Sequence, residues 1–446
     1  MTIWAGILGR SHDTLPPALL EDLGRCLSRH PGERPFLHGD GRVALAQADV
    51  GAWPGRGVLA DADGNVTLLA GRPLLRKGQG ARDGDLQLLH EALLDDGEEA
   101  FRDTTGSFAL THYNRARAEL TLVSDRLGIR PVYYYVGPDF AVVAVAFRVL
   151  RELSIVPGRL DARALTEQAS LGYPLGSRTP YLDVRRIGPS EVVRISTAEC
   201  RVSRYWRLDR IPVSEEPETV RAEAVSEAFS NAIRLRLGTD QAAVSLLSGG
   251  LDSRCIVSSL LAAGAEAHTM NFGSEGSQDL VLARLFAEHV GADHRERPIS
   301  LGIGSPGFRA IVGASLSEYS GAGQTDAGHP FVPRPKVVWS GDGGSVGLGH
   351  VHMSERIVSA MRRGQIAEAI DFYLHDIKAY VPVRLFRRRL RQDMGTVLQD
   401  GIREELASQD TDDPAKAFWV FLMHNDQRRH LDRDYEGIDL HRSEME

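Results

Sequence analysis

A short hydrophobic segment that runs into a serine- and glycine-rich turn constrains the fold of this chain more than any other feature. Residues 243–247 are apolar or small and predict a buried strand, and residues 256–263 predict a helix. Between them lies Ser-Gly-Gly-Leu-Asp-Ser, residues 248–253. A strand that turns sharply into a helix aims free backbone N–H groups and the positive end of the helix dipole at one place. The sequence therefore predicts an anion-binding turn.

The side chains of this turn fit a phosphate ligand. Gly249 and Gly250 permit a positive φ and the close approach of a bulky anion. Ser248 and Ser253 supply hydroxyl donors. A phosphate repels Asp252 unless Mg²⁺ lies between them, so Asp252 is the leading candidate for a Mg²⁺ ligand. The alternative is an ordinary glycine-rich turn, since the Gly-Lys-Ser/Thr of the Walker motif is missing.

Length and composition favour a multidomain globular protein. Its 446 residues are 42% hydrophobic and 25% charged, which suits two or three domains. No apolar stretch of ~18 residues is present, so we expect no membrane partner, and the N-terminus lacks the pattern of a signal peptide. A net charge of −8 disfavours nucleic acid as a partner. Three widely spaced cysteines indicate neither disulfides nor zinc, and we expect a cytoplasmic protein.

Two regions with different patterns follow each other along the chain. Residues 1–150 alternate short strands with turns and contain two helical stretches, which predicts sheets covered by helices. Residues 151–215 are interpreted as a mixed connector. From residue 218 a β-α-β-α-β alternation predicts a doubly wound parallel sheet, whose ligands bind at the carboxyl ends of the strands. We therefore expect one domain at 1–210 and a second at 218–446.

The elements expected in the two regions are these. Strands are predicted at 58–60, 66–70, 107–113, 119–124, 132–136 and 140–145, with helices at 16–27 and 85–96. Further along, helices are predicted at 220–237 and 279–290, strands at 267–272, 294–298 and 337–340, and several helices within 354–434.

The order of the motifs over nearly the whole chain resembles the asparagine synthetase family. Gly106-Ser107-Phe108-Ala109 and residues 125–134 resemble its glutaminase-type domain. Residues 248–253 resemble the pyrophosphate loop of N-type ATP pyrophosphatases; Asn271-Phe272-Gly273 and residues 340–344 resemble later synthetase motifs. The resemblance implies an α+β Ntn-hydrolase-like sandwich followed by an α/β doubly wound ATP pyrophosphatase domain.

The first half departs from family members that hydrolyse glutamine. Those begin Met-Cys and use the cysteine as an N-terminal nucleophile, whereas position 2 is Thr2 here. Ala70-Gly71 replaces their Asn-Gly pair, while Asp85 corresponds to the acid that holds the glutamine amine. Thr2 stays open as a nucleophile, but we expect a scaffold without glutaminase activity. Members without the cysteine, such as β-lactam synthetase and lasso peptide macrolactam cyclases, use an amine of the substrate itself.

The resemblance implies ATP and Mg²⁺ as cofactors and assigns residues to them. Asp252 and Asp342 are the candidate catalytic residues and metal ligands. The alternative for the apolar side chains among the assigned residues is packing in the core. The residues expected to cradle pyrophosphate are Ser248, Gly249, Gly250, Asp252 and Ser253. Those expected to flank adenine are Leu246, Leu247, Met270 and Phe272, and those expected to contact the ribose or α-phosphate are Ser340 and Gly341.

The second half also departs from the family. Ser345 stands where the family has a Mg²⁺-binding Asp, which leaves Asp342, a water or weakened metal binding as alternatives. No lysine follows Lys416 to act as the family's late basic residue, and Arg428, Arg429 and Arg433 are stand-ins unless they are helix surface.

Three other segments carry polar side chains with two possible roles. His350 and His352 would bind a metal or line the acceptor site, unless they are surface histidines. The five arginines within 384–391 would contact an anion or form a solvated helix face. Residues 324–329, with Gln324, Thr325, Asp326 and His329, are where the resemblance puts the carboxylate substrate.

These patterns favour an ATP-dependent ligase that adenylates a carboxylate and couples it to an amine, releasing AMP and pyrophosphate. The sharpest version is a lasso-peptide-type macrolactam cyclase. Its substrate would be a small molecule or peptide carrying both groups, and its partners a precursor peptide, a leader-binding protein and a protease. The alternatives are an asparagine synthetase that uses free ammonia and a non-catalytic nucleotide-binding scaffold.

Overall fold

The computed structural model describes residues 1–11, 14–29, 33–75, 82–95, 97–298, 337–378, 395–431 and 444–445. The strands in these ranges are β1 Ile3–Gly9, β2 Phe36–Gly39, β3 Val43–Ala48, β4 Val58–Ala60, β5 Val66–Leu74, β6 Thr105–Asn114, β7 Glu119–Ser124, β8 Tyr133–Val136, β9 Phe140–Ala144, β10 Val184–Arg186, β11 Glu191–Ile195, β12 Cys200–Arg204, β13 Ala242–Leu246, β14 Glu266–Gly273, β15 Asp293–Pro298, β16 Val337–Trp339 and β17 Glu444–Met445.

The helices in the same ranges are α1 Pro17–Leu27, α2 Arg82–Leu94, α3 Glu99–Arg102, α4 Phe147–Glu152, α5 Ala162–Leu171, α6 Glu218–Leu237, α7 Leu251–Ala262, α8 Gln278–Val290, α9 Gly344–Gly347, α10 Glu355–Arg362, α11 Ile366–Phe372, α12 Val397–Ala407 and α13 Pro414–Phe421. A 3₁₀ turn at Leu208–Arg210 and two π-helical segments, Tyr373–Ile377 and Leu422–Gln427, complete them.

Two antiparallel sheets pack face to face in the N-terminal half. Their strand orders are β10-β8-β9-β1-β3-β2 and β12-β11-β7-β6-β5-β4. Side chains alternate along β6, so Ala109 faces the core between the sheets while Phe108 packs toward α2. Trp4 Nε1 on β1 donates to the Ala109 carbonyl across that core at 3.0 Å. The expected α+β sandwich with covering helices is confirmed.

The segment after residue 150 differs from the expected connector. Its strand β10 joins one sheet, and β11 and β12 form the edge of the other. These strands are three to five residues long. Strands this short gain most of their stability from pairing with neighbours, which sequence patterns do not report. The segment is therefore part of the sandwich.

The C-terminal half contains a five-stranded parallel sheet of order β15-β14-β13-β16-β17. Strand β13 lies in its centre, with Val244 in register with His268 on β14 and Val338 on β16. Helices α7 and α8 connect β13, β14 and β15, and their apolar sides pack on the sheet. The expected α/β doubly wound arrangement is confirmed, and it puts the residues that follow β13, β14 and β16 at one edge.

Two helices differ from their predicted form. Helix α7 begins at Leu251 and not at residue 256, so Asp252 and Ser253 lie in its first turn. Helix α6 is long, as expected, but only Ile233 and Leu237 are buried along it. No helix within the described ranges has the length and apolarity that crossing a bilayer requires.

Candidate functional site

A cavity of about 1100 Å³ opens at the carboxyl ends of β13, β14 and β16. It brings together all but one of the eleven predicted nucleotide-binding residues, together with Asp342. The exception is Gly249. The predicted residues in the cavity wall are Leu246, Leu247, Ser248, Gly250, Asp252, Ser253, Met270, Phe272, Ser340, Gly341 and Asp342.

Gly249 lies on the side of the turn that packs against α8. Its φ is +79°, and a Cβ there would lie 2.7 Å from the Asp279 carbonyl oxygen of α8. Only glycine meets both conditions without strain, because other residues rarely adopt this φ and a side chain would collide with backbone. Gly250 follows as the residue before α7. The turn is thus pressed against α8 while its other side faces the cavity.

The two serines of the turn bind each other. Their hydroxyl oxygens lie 3.1 Å apart, and the Ser253 hydroxyl also accepts from the Ser248 amide at 3.2 Å. Ser248 is exposed to the cavity, while Ser253 is buried in the first turn of α7. The hydroxyls and the N-terminus of α7 therefore form a polar surface suited to an anion.

The turn after β16 packs directly on the first one. A Cβ on Gly341 would lie 2.6 Å from the Ser253 amide nitrogen, so the backbones touch. Asp342 Oδ2 accepts a hydrogen bond from the Ser340 hydroxyl at 2.8 Å, and the Asp342 amide donates to the same hydroxyl at 3.0 Å. These contacts hold the exposed Asp342 carboxylate beside the cavity.

Ser345 contacts the leading metal-ligand candidate. Its hydroxyl donates to Asp252 Oδ2 at 2.7 Å. Gly344 packs against the same carboxylate, since a Cβ on Gly344 would lie 2.6 Å from the Asp252 carboxyl carbon. The residue that replaces the family's acid is therefore a hydrogen-bond donor to the remaining one.

The four residues predicted to flank adenine divide into two pairs. Leu247 and Met270 are almost fully buried, which fits core packing of their side chains. Leu246 and Phe272 are half-buried at the cavity wall. Asn271 also lines the cavity, and its side-chain amide donates to the Leu247 carbonyl at 2.7 Å, bracing the ends of β13 and β14.

Sequence reasoning proposed His352 as a metal ligand or a residue of the acceptor site but missed the charged cluster that it joins in this cavity. Lys378 Nζ donates to Asp426 Oδ1 at 2.6 Å, and His352 Nε2 lies 3.1 Å from Asp426 Oδ2. Burial disfavours ionisation of Asp426, but the hydrogen bond from His352 and the charge of Lys378 outweigh it and lower its pKa to about 2. Asp426 is thus a carboxylate at neutral pH. No spacing pattern links these three residues, which lie in a turn, after one π-helical segment and within another.

Other candidate residues lie elsewhere. The alternative of helix surface for Arg428 and Arg429 is wrong, since both are buried. They do not line the cavity; Arg429 donates to the carbonyls of Gly176 and Arg178 at 2.6 and 2.9 Å. His350 is exposed. Three expectations lie outside the described residues: Gln324, Thr325, Asp326 and His329; the arginines of 384–391; and Arg433.

The surroundings of Thr2 are filled by charged side chains. Thr2 is fully buried, its hydroxyl donates to Asp49 Oδ1 at 2.9 Å, and its amide donates to Glu444 Oε1 at 2.6 Å. Arg130 pairs with Glu444 at 2.7 Å, and Arg82 pairs with Asp49 at 3.3 Å. A carboxylate next to the Thr2 nitrogen favours its protonated state after any trimming, which opposes its use as a base.

Two family models match the chain. One, described as a glutamine amidotransferase domain, matches residues 74–206, and another, described as asparagine synthase, matches residues 224–305. The first lies on the antiparallel sheets and the second on the turn, α7 and α8.

Similar proteins are annotated synthetases from bacteria and mammals. An asparagine synthetase [glutamine-hydrolyzing] of Mesocricetus auratus is 30% identical over 48% of this chain and 38% of its own length. A putative one of Mycobacterium bovis is 26% identical over 49% of this chain and 35% of its own, and one of Bacillus subtilis is 26% identical over 46% and 32%. The chain therefore spans little more than a third of the length of these relatives.

Solved structures resemble the chain weakly. A glutamine phosphoribosylpyrophosphate amidotransferase from B. subtilis covers 93% of it with a TM-score of 0.31 and 13% identity. An allosteric regulatory enzyme of purine biosynthesis gives 0.32 and 11%. These scores are too low to bear on the site.

Fold and sequence matches together define a two-part protein, with an amidotransferase-type sandwich followed by a synthetase-type parallel sheet. Both parts of the chain are similar to the asparagine synthetase family.

Proposed function

We propose that this chain is an ATP-dependent ligase that adenylates a carboxylate and couples it to an amine, releasing AMP and pyrophosphate. One observation carries the proposal: the 248–253 turn, the 340–342 turn and the end of β14 line one cavity at the carboxyl edge of a parallel sheet. Similarity to the asparagine synthetase family supports ATP as the nucleotide.

Each part of the cavity has a task in this reaction. The N-terminus of α7, with Ser248 and Ser253, would hold pyrophosphate through N–H and O–H donors. The half-buried Leu246 and Phe272 would contact adenine. Ser340 and Gly341 would lie against the ribose or α-phosphate. A rigid arrangement of this kind accelerates acyl transfer mainly by holding the reacting groups in line.

Mg²⁺ fits the donor set of the cavity. It prefers oxygen ligands and commonly takes one or two carboxylates, with phosphate oxygens and waters completing its shell. Asp252 and Asp342 supply such carboxylates and would hold it. Within the described ranges, no group of three His, Cys, Asp or Glu side chains could hold a metal without the substrate. Bound there, Mg²⁺ would neutralise charge that develops on the phosphates.

The N-terminal half would serve as a scaffold. The absence of the nucleophilic cysteine at position 2 and the two ion pairs that fill the space around Thr2 support this role. A ligase whose substrate brings its own amine needs no glutaminase. This reasoning favours a lasso-peptide-type macrolactam cyclase, with a precursor peptide as substrate and a leader-binding protein and a protease as partners.

A second candidate is an asparagine synthetase that uses free ammonia. The relatives named asparagine synthetase favour it. In this case aspartate would be the carboxylate, and the Thr2 region would again be inactive.

Pyrophosphate exchange into ATP tests the proposal. Wild-type protein is incubated with ATP, Mg²⁺, labelled pyrophosphate and candidate carboxylates, beside Asp252→Ala. We expect exchange with at least one carboxylate and its loss in the variant. Product formation with aspartate and ammonia separates the second candidate from the first. Protein that binds no ATP and catalyses no exchange would contradict both.

A further inference from the structure

Two uncommon helical distortions lie at one corner of the cavity. Tyr373–Ile377 and Leu422–Gln427 are π-helical, extending α11 and α13. π-Helical turns are rare, and they occur frequently at functional sites. Lys378 directly follows the first, and Asp426 lies within the second. Both side chains reach the cavity wall from these segments.

The Asp426 carboxylate is held from several sides. One oxygen accepts from Lys378 and the other lies 3.1 Å from His352 Nε2. The buried Tyr173 ring lies 5.3 Å from the Lys378 ammonium, and its phenol oxygen is 3.2 Å from that of Tyr373. The Asp426 side chain is only 8% exposed and the Lys378 side chain 19%. The Lys378 ammonium is therefore fixed at one position on the wall.

This corner adjoins the phosphate-binding turns. Gly343 follows Asp342 in the 340–345 turn, and a Cβ on Gly343 would lie 3.6 Å from Gln427 Nε2. Gln427 is the neighbour of Asp426. Lys378 thus lines the same cavity as the 340–345 turn, which itself contacts the N-terminus of α7 through Gly341 and Ser345.

The charges of the cavity give this ammonium a role. Among the described lining residues there are three carboxylates, Asp252, Asp342 and Asp426, and no arginine. Lys378 is the lysine of that lining. A nucleoside triphosphate adds several negative charges to a site that is already acidic, so a fixed cation there gains a strong charge-assisted contact.

We infer that Lys378 contacts phosphoryl oxygens of the bound nucleotide and that Asp426 is its positioning residue. The inference rests on the proposed function, because it takes ATP as the ligand of the cavity. Asp426 keeps the ammonium in place before the nucleotide arrives, so little side-chain entropy is lost on binding. In a purely structural ion pair the Lys378 ammonium would not contact the nucleotide. The two cases therefore differ in whether ligand binding changes the surroundings of the ammonium.

Lysine NMR reads the contact directly. The chain has only four lysines, Lys77, Lys336, Lys378 and Lys416. Reductive ¹³C-methylation therefore gives four lysine signals beside that of the α-amino group, and single Lys→Arg variants assign them. Pyrophosphate with Mg²⁺, and AMP in a separate arm, are titrated into the wild-type protein while calorimetry measures binding. We expect the Lys378 signal to move with pyrophosphate, AMP or both, which also says which phosphoryl groups it contacts. Lys416, whose ammonium binds the carbonyl oxygen of Asp209 at 2.6 Å, is the internal control.

Variants give a second measurement. We expect Lys378→Met to weaken binding of the responding ligand roughly tenfold to hundredfold, as loss of a charged hydrogen bond would. Lys378→Arg should retain most of the affinity, and Asp426→Asn should lose less than Lys378→Met. Arg403→Met removes the same charge from exposed surface and should change nothing.

The outcomes separate the two proposals. If ligand binds and the Lys378 signal stays in place, the inference is wrong and the proposed function stands. If neither ATP, pyrophosphate nor AMP binds to the wild-type protein, the proposed function fails and the inference fails with it. If Asp426→Asn binds as tightly as wild type and leaves the Lys378 signal unchanged, Asp426 is no positioning residue.

Discussion

Ser345 donates a hydrogen bond to Asp252 Oδ2 at 2.7 Å, and this contact joins the two turns at the end of the cavity where we propose that phosphate binds. Asp252 belongs to the first turn of α7, and Ser345 to α9 after β16. A carboxylate has about four lone-pair sites, so the hydrogen bond leaves room for a cation. The contact orients the carboxylate that is the leading candidate for a metal ligand.

Replacing Asp252 should remove the Mg²⁺ dependence of nucleotide binding. We expect Asp252→Asn to weaken Mg²⁺·ATP binding by at least about tenfold, because the neutral amide neither coordinates the cation well nor offsets its charge. Calorimetric titration of ATP at several Mg²⁺ concentrations measures the effect. Glu355→Gln, which removes a carboxylate from the first turn of α10, is the matched control. Equal Mg²⁺ dependence in all three proteins would exclude Asp252 as a ligand.

Restoring an acid at position 345 should strengthen the metal site. In Ser345→Asp two carboxylates would face each other where a hydrogen bond now exists, so the apo protein should lose about 1 kcal/mol of stability through repulsion. Mg²⁺ would relieve that repulsion. We expect the melting temperature of the variant to fall without Mg²⁺ and to recover with it, and the half-saturating Mg²⁺ concentration for ATP binding to decrease. Ser345→Asn, which adds no charge, should show neither change.

Gly249→Ala tests the shape of the turn. The substitution combines an unfavourable φ of +79° with a Cβ 2.7 Å from the Asp279 carbonyl. Gly264 has a φ of +91° with open space around it, so Gly264→Ala bears the φ cost alone. That cost is roughly 1–2 kcal/mol. We expect Gly249→Ala to be less stable than Gly264→Ala in urea unfolding and to lose ATP binding as well. Equal effects of the two substitutions would mean that the turn accommodates the added Cβ without loss of stability.

A buried acid in the sandwich should make stability pH-dependent. Burial raises the pKa of Asp85 from 3.8 to about 6, against the opposing charge of Arg72. The folded state then holds its proton more tightly than the unfolded state, so stability falls as pH rises from about 4 to 6 and stays lower above that. Once Asp85 is ionised, the free energy of unfolding is lower by about 3 kcal/mol. Asp85→Asn should therefore be more stable than wild type at pH 7.5 and similar at pH 4, measured by thermal unfolding at both values. A variant that is less stable at pH 7.5 would contradict the buried, unpaired state.

The Arg130–Glu444 pair ties β17 to the sandwich. Both side chains are at most 1% exposed, and burial of Glu444 is outweighed by the charge of Arg130, which lowers the pKa of Glu444. Arg130→Met leaves that charge uncompensated and should cost about 3–5 kcal/mol. Combining it with Glu444→Gln should recover a large part of this loss in a double-mutant cycle of unfolding free energies. Additive losses would mean that the two residues do not interact.

Residues that act through the local backbone could be predicted from the sequence. The Gly-Gly pair, the serines and Asp252 lie within six residues, and a strand followed by a helix positions them wherever the sheet lies in the molecule. Short runs of apolar and β-branched residues also predicted the strands β4 and β7 with their observed ends.

Other contacts could not be predicted from the sequence. Ser345 and Asp252 are 93 residues apart, and Lys378 and Asp426 are 48 apart. The strands β10 to β12 and the burial of Arg428 and Arg429 also depend on neighbours that are remote in sequence.

The sequence alone determined the serine- and glycine-rich turn between a strand and a helix, the parallel α/β order of the second half and the threonine at position 2, because each depends on residues that are adjacent or periodic. The tertiary structure decided which side chains surround that turn: the donor on Asp252, the Lys378–Asp426 pair and the charged packing around Thr2. The physical reason is distance along the chain. Hydrogen bonds and ion pairs act over about 3 Å in space, and only the packing of sheets and helices sets which remote residues come that close.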